Sequence, residues 1–121
     1  MKTTGLQPCA ASATMFLYAE GTSVVCLKHD TLELERRMQN HEREVLIISI
    51  DNTTPEAPRV VSVDSGKTAI VWDLLSGEEV SRFTAYEDIR VATWMKNGNL
   101  TFGMSFQFSF TSNSALNFGK R

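Results

Sequence analysis

At 121 residues, with 42% hydrophobic and 21% charged side chains and a formal net charge of -2, the chain has the make-up of one folded domain with a real core. Ordinary apolar content argues against disorder, the slight negative charge argues against a nucleic-acid-binding surface, and no apolar run reaches the ~18 residues that a spanning helix requires. Two cysteines, Cys9 and Cys26, are too few for a disulfide framework and suit a reducing setting, so a cytoplasmic or nuclear location is expected.

Near the N-terminus, Lys2 and the mildly apolar CAASATMFLYA have the outline of a targeting segment, but Pro8, Ser12, Thr14 and Glu20 interrupt or end it, and a strand accounts for it better. TMFLYA and SVVCLK flank the turn Glu20-Gly21-Thr22 and form a predicted hairpin. The next segment, DTLELERRMQNHERE, fits two periods. Asp30 with Glu33 makes a capping box, and Leu34, Met38, His41 and Val45 follow helical spacing. Leu32, Leu34, Arg36 and Met38 also alternate with charged or polar neighbours, as a solvent-facing strand would.

VLIISI, from Val45 to Ile50, has the β-branched density of a strand buried on both faces. The loop DNTTPEAPR follows, its two prolines pushing their preceding residues out of helical geometry. Then comes VVSVDSGKTAIVWDLLSGE, Val60 to Glu78: two strands and two tight turns, with Trp72-Asp73 closing the second strand. EVSRFTAY is a further, more polar strand, and RVATWMKNGNLTFG gives two strands around Asn97-Gly98, a strong hairpin signal. From Met104 onward the character changes. Phe106, Phe108 and Phe110 alternate on one face of a possible strand, and a polar, turn-rich tail follows.

A weak internal repeat sets Thr22 to Cys26 over Thr68 to Trp72. The stretch from His41 to Tyr86 resembles a WD-repeat unit, the four-stranded blade of a β-propeller. Asn40-His41 stands near the family's Gly-His, Ser62 on the next strand, Ser65-Gly66-Lys67 at its turn, and Trp72-Asp73 before the turn Ser76-Gly77. The resemblance implies an all-β fold of antiparallel four-stranded blades in an incomplete propeller. Residues 1-103 would be partial propeller, with the best blade at 41-86, and residues 104-121 an atypical tail. It also implies a structural network at His41, Ser62 and Trp72, with Asp73 completing the Trp-Asp pair; the family's turn Asp falls at Gly66, so the network is expected to lack its acid. A preceding partial unit carries Cys26-Leu27 where Trp-Asp would stand. A closed propeller needs at least about four blades, and the chain has material for about two, so a truncated propeller is expected. The resemblance favours an outermost strand, LELERRM, for the segment that fits both periods.

Chemistry is faint by comparison. Cys26-x-x-His29 with Cys9 or His41 lacks zinc-site spacing, and an extended strand points Cys26 and His29 to opposite faces. Ser62, His41 and Asp64 can be named as a hydrolase triad, but no nucleophile elbow surrounds any serine. Ser65-Gly66-Lys67-Thr68 lacks the earlier glycine and the helix of a phosphate-binding loop. Arg36, Arg37, Arg43 and Lys28 are balanced by Glu33, Glu35, Glu42 and Glu44, a solvated face.

The sequence therefore points to a non-catalytic scaffold for protein-protein interaction, with no cofactor, no metal, no nucleic-acid partner and no membrane. The partner stays unnamed, self-association through open sheet edges is a route open to it, and the loops DNTTPEAP and SGEE with Asp88 and Arg90 are the candidate contact points. The competing reading is a small α+β domain with a helix near 31-44 on an antiparallel sheet, binding a small molecule.

Overall fold

A computed structural model describes residues 8–53, 56–95, 100–104 and 110–112. Strand follows strand through all of them. The first sheet is β1 (Cys9–Ala11), β2 (Met15–Glu20), β3 (Ser23–Lys28) and β4 (Leu34–Met38); the second is β5 (Val45–Asp51), β6 (Arg59–Asp64), β7 (Thr68–Asp73) and β8 (Glu79–Thr84). The third is β9 (Ile89–Trp94), β10 (Leu100–Met104) and β11 (Phe110–Ser112). Each sheet is an antiparallel meander in chain order, and the first strands of the three sheets, β1, β5 and β9, adjoin.

The helical alternative near 31-44 is overturned: Leu34–Met38 is the edge strand of the first sheet, its exposed charges facing water, and no helix occurs among the described residues. Both periods fitted that segment, and pairing with the buried strand β3 decides it, because Val24 and Val25 sit opposite Met38 and Arg37. Within the tail, Phe110–Ser112 forms β11, which pairs with β10 as the third strand of its sheet. The Asn97-Gly98 turn lies outside the described residues, although the strands it was expected to join do pair. Phe106 and Phe108 lie outside them too.

Alternation along the strands shows how the sheets stack. On β6, Val60 joins a core shared with Leu17, Val24, Cys26 and Met38 of the first sheet, while its neighbours Val61 and Val63 join a second core with Ile89, Leu100 and Phe102 of the third. The middle sheet is thus covered on both faces. This explains why its strands read as near-continuous apolar runs, VVSV and AIV, in place of an apolar-polar alternation.

Register corrects the internal repeat. Glu20 and Ser23 bound the turn between β2 and β3, whereas Asp64 and Thr68 bound the longer turn between β6 and β7. The extra residue shifts the second strand by one relative to the first. Cys26 therefore faces the second sheet as Val71 faces the third, and Leu27 holds the position that corresponds to Trp72. A slip of one residue moves a side chain to the opposite face.

Candidate functional site

The most developed polar arrangement lies inside the second sheet, on the face that packs against the first. The loop between β4 and β5 carries His41 over the ends of β6 and β7. His41 Nε2 stands 2.6 Å from Ser62 Oγ, His41 Nδ1 stands 2.7 Å from Asp64 Oδ2, and Trp72 Nε1–H donates to Ser62 Oγ at 2.8 Å. Ser62 and Asp64 reach one face because they are two apart on β6, and Trp72 reaches it from β7, where its register partner is Val60. Asp64 is also the residue that builds the turn: its Oδ1 accepts from the backbone N–H of Gly66 at 2.8 Å and of Thr68 at 3.1 Å.

Donor and acceptor counting fixes the direction of this chain. The indole can only donate, so the Ser62 hydroxyl proton goes on to His41 Nε2, and Nδ1–H of a neutral imidazole goes to the Asp64 carboxylate. Burial holds His41 below the usual histidine range, and this outweighs the opposing pull of the Asp64 carboxylate. A neutral ring with one donor and one acceptor suits both neighbours.

The order Asp64-His41-Ser62 repeats the hydrogen-bond order of a hydrolase triad, yet its surroundings are those of a brace. Ser62 is 0% exposed, the His41 side chain is 0% exposed, and one Ser62 lone pair is already held by Trp72. A nucleophile must reach a substrate carbonyl beside oxyanion donors. Here the serine oxygen faces the first sheet's core instead.

The structure brings His41, Ser62 and Trp72 together and leaves Asp73 apart: Asp73 Oδ1 accepts from Leu75 N at 2.9 Å and Ser76 N at 3.2 Å, shaping the turn after β7. The acid is present after all, as Asp64 and not at the position of Gly66. The readable signal was an Asp opening an Asp-Ser-Gly turn, a residue suited to bonding the backbone two positions on.

Comparison with known proteins gives one kind of answer. No protein-family model matches the chain, and no curated protein matches it. Among solved structures, the chain is similar to the Cps50 (Swd1) β-propeller domain of Myceliophteria thermophila, with a TM-score of 0.72 at 13% sequence identity over 92% of this chain. The fold is that of propeller blades. At this identity the likeness speaks for fold alone, and the chain spans 36% of that domain's length.

The three sheets are thus successive blades, and the chain Trp72-Ser62-His41-Asp64 belongs to the middle one. The first blade places Tyr18, Glu20 and Leu27 at the corresponding positions, which cannot form the same chain. It is tied to the middle blade differently: Arg36 Nη1 and Nη2 donate to the carbonyls of Ser76 and Leu75, both at 2.9 Å, and Asn40 Nδ2 donates to Glu79 Oε1 at 2.9 Å. Trp94 Nε1–H of the third blade donates to Ser49 O of β5 at 3.1 Å.

The remaining candidates disperse. Cys26 is buried in the core between blades, whereas His29 and Cys9 are exposed, and among the described residues no group of three or more His, Cys, Asp or Glu side chains is placed to hold a metal ion. Ser65-Gly66-Lys67 is the turn between β6 and β7, and Thr68 opens β7. The loops singled out from the sequence fall at opposite ends of the middle blade. The described part of DNTTPEAP adjoins the turn that leads into SGEE, where Leu74 N donates to Pro58 O at 3.0 Å. Asp88 and Arg90 lie at the other end, where they line a cleft of about 320 Å³ with Leu46, Asp64, Ser65, Lys67 and Ile89.

Proposed function

We propose that the protein is a non-catalytic scaffold of WD-repeat type that binds other proteins through the loops at the ends of its blades. The observation that carries this reading is the fate of the constellation of reactive side chains that the described residues assemble. Ser62, His41 and Asp64 are sealed between blades and bonded to one another and to Trp72, so their chemistry serves rigidity. Rigid sheets that hold exposed loops in place are what a recognition scaffold needs. The exposed residues Glu56, Glu78, Asp88 and Arg90 offer charged contact points at the two ends.

The test compares affinity capture by the unmodified chain with capture by two end variants, Glu56→Lys with Glu78→Lys, and Asp88→Lys with Arg90→Glu, alongside labelling by a serine-directed fluorophosphonate. The reading expects a partner protein whose recovery falls with one end variant and not the other, and no label on Ser62. Recovery that ignores both variants, or covalent labelling of Ser62, overturns it.

A further inference from the structure

The turn after β7 sets one hydroxyl apart. Ser76 is exposed, its Oγ accepts from Glu78 N at 3.2 Å, and its O–H donates to no described residue. The turn belongs to the middle blade, which has a described blade on either side, so its neighbours in the stack of sheets are part of this chain. From Asp73 to Glu79 the segment DLLSGEE carries three acids and no Lys, Arg or His. An exposed serine followed two and three residues later by glutamates is what a protein kinase with a basic substrate groove selects, because the acids complement the groove's charge.

The same turn carries a cation from the neighbouring blade. Arg36 Nη1 donates to Ser76 O and Nη2 to Leu75 O, both at 2.9 Å. A guanidinium has five N–H donors, and Arg36 Nε–H is buried without a hydrogen-bond partner among the described residues. The guanidinium lies so close to the turn that a Cβ at Gly77 would come within 2.6 Å of Nη1.

We propose that Ser76 is a phosphorylation site for an acid-directed protein kinase, and that Arg36 of the first blade receives the phosphate. In the transfer, Ser76 Oγ bonds to the γ-phosphorus of ATP, the bond from that phosphorus to the bridging oxygen breaks, ADP leaves, and the hydroxyl proton passes to the kinase's base. The product carries about two negative charges at neutral pH and three acceptor oxygens. Arg36 has donors left for them, and guanidinium pairs with phosphate through charge-assisted, two-pronged hydrogen bonds. Four carboxylates lie around the turn. Asp73 Oδ1 is occupied by Leu75 N and Ser76 N, and Glu79 is occupied by Asn40 and Arg82. Glu35 stands 3.6 Å from Arg36 Nη2, and Glu78 is exposed, where water and salt screen its repulsion. Arg36 is on β4 and Ser76 follows β7, so the new pair fastens the first blade to the middle one. No partner protein enters this inference, which can fail or hold independently of the scaffold reading.

The experiment incubates the whole chain with ATP and an acid-directed serine kinase and maps the phosphate by mass spectrometry. The purified phosphoprotein is then followed by urea unfolding and by phosphorus NMR over a pH series. Expected are phosphate on Ser76, an unfolding midpoint moved to higher urea, and a phosphate that titrates below its ordinary value of about 6. In Arg36→Ala, or in Arg36→Gln should the alanine variant fail to fold, Ser76 should still be modified, but the midpoint should not rise and the titration should return toward about 6. Ser76→Ala should keep its β-sheet circular dichroism and lose the phosphate. No incorporation, or incorporation at other residues alone, overturns the inference. So does a midpoint that falls on phosphorylation, or a phosphate that titrates identically with and without Arg36.

Discussion

Ser62 Oγ takes the indole proton of Trp72 at 2.8 Å while standing 2.6 Å from His41 Nε2, so a single buried hydroxyl joins two strands and a loop. Removing it strands two partners at once. In Ser62→Ala the Trp72 N–H and the His41 Nε2 both lose the hydroxyl that pairs them inside the core, and each orphaned group costs about 1–3 kcal/mol. Asp73→Ala removes bonds from an exposed turn, worth ~1 kcal/mol because water replaces them. Urea unfolding should therefore rank Ser62→Ala as clearly the more damaging. Equal costs would mean that the buried chain does not brace the blade.

The same chain makes stability depend on pH in a defined direction. His41 is held below its ordinary value of 6.5 in the folded protein, mainly by burial. As pH falls below 6.5 the unfolded chain takes up a proton that the folded chain refuses, so unfolding becomes more favourable until the lower folded value is passed. Stability of the unmodified protein should fall across that window and level off below it. His41→Asn, though less stable throughout, should show a shallower fall over the same window in urea titrations at successive pH values. A slope identical to that of the parent would assign the effect to other groups.

Gly77 and Arg36 offer a test of how the first two blades are fastened. Gly77 has φ +78, and a Cβ there would come within 2.6 Å of Arg36 Nη1, the atom that donates to the carbonyl of Ser76. Gly21 also has a left-handed φ, +62, but a Cβ there would meet nothing within 4 Å. Gly21→Ala should cost only the backbone penalty of ~1–2 kcal/mol. Gly77→Ala should cost more, by the value of the displaced Arg36 contacts, and that excess should shrink in an Arg36→Ala background. A double-mutant cycle measures the coupling.

How much of this was legible comes down to which features are local. Strand character was written in β-branched runs such as VLIISI and in turn residues such as Ser65-Gly66, and Trp72 with Ser62 and His41 could be picked out by position. Asp64 could not be given its place in the chain, because which residue of a turn reaches a loop histidine depends on where β6 ends, and register is set between strands. The Cys26 and Leu27 assignment slipped for the same reason: turns of unequal length break a fixed repeat offset, and a period of two turns a one-residue error into the wrong face. The segment at 34–38 carried two periods at once, and only its neighbour β3 distinguishes them.

Leu32 marks a place where the chain tolerates strain. It has φ +62, is 61% exposed, and sits in the loop between β3 and β4, so it gains little from burial while holding a conformation that suits Asn or Gly. Leu32→Asn should stabilise the protein by about 0.5–1 kcal/mol, taken as part of the left-handed penalty. Thermal unfolding with circular dichroism checks this, and a lower midpoint would show that Leu32 has a partner worth more than the strain.

Cys26 reports on the interface between the first two blades. It is 0% exposed among Leu17, Val24 and Trp72, and burial pushes its thiol up to about 11. The thiolate is the reactive form, so both exclusion and the raised value keep it inert at neutral pH. In a Cys9→Ser background, where Cys26 is the remaining thiol, alkylation should proceed only as fast as the blades separate. Its rate should rise in Arg36→Ala, which loosens the contact between β4 and the turn after β7, and should rise further in Ser62→Ala. Mass spectrometry of timed iodoacetamide reactions follows this directly. Rapid labelling of the unmodified core thiol would show that the first blade opens from the second on its own, in which case the Arg36 contacts do not hold the two together.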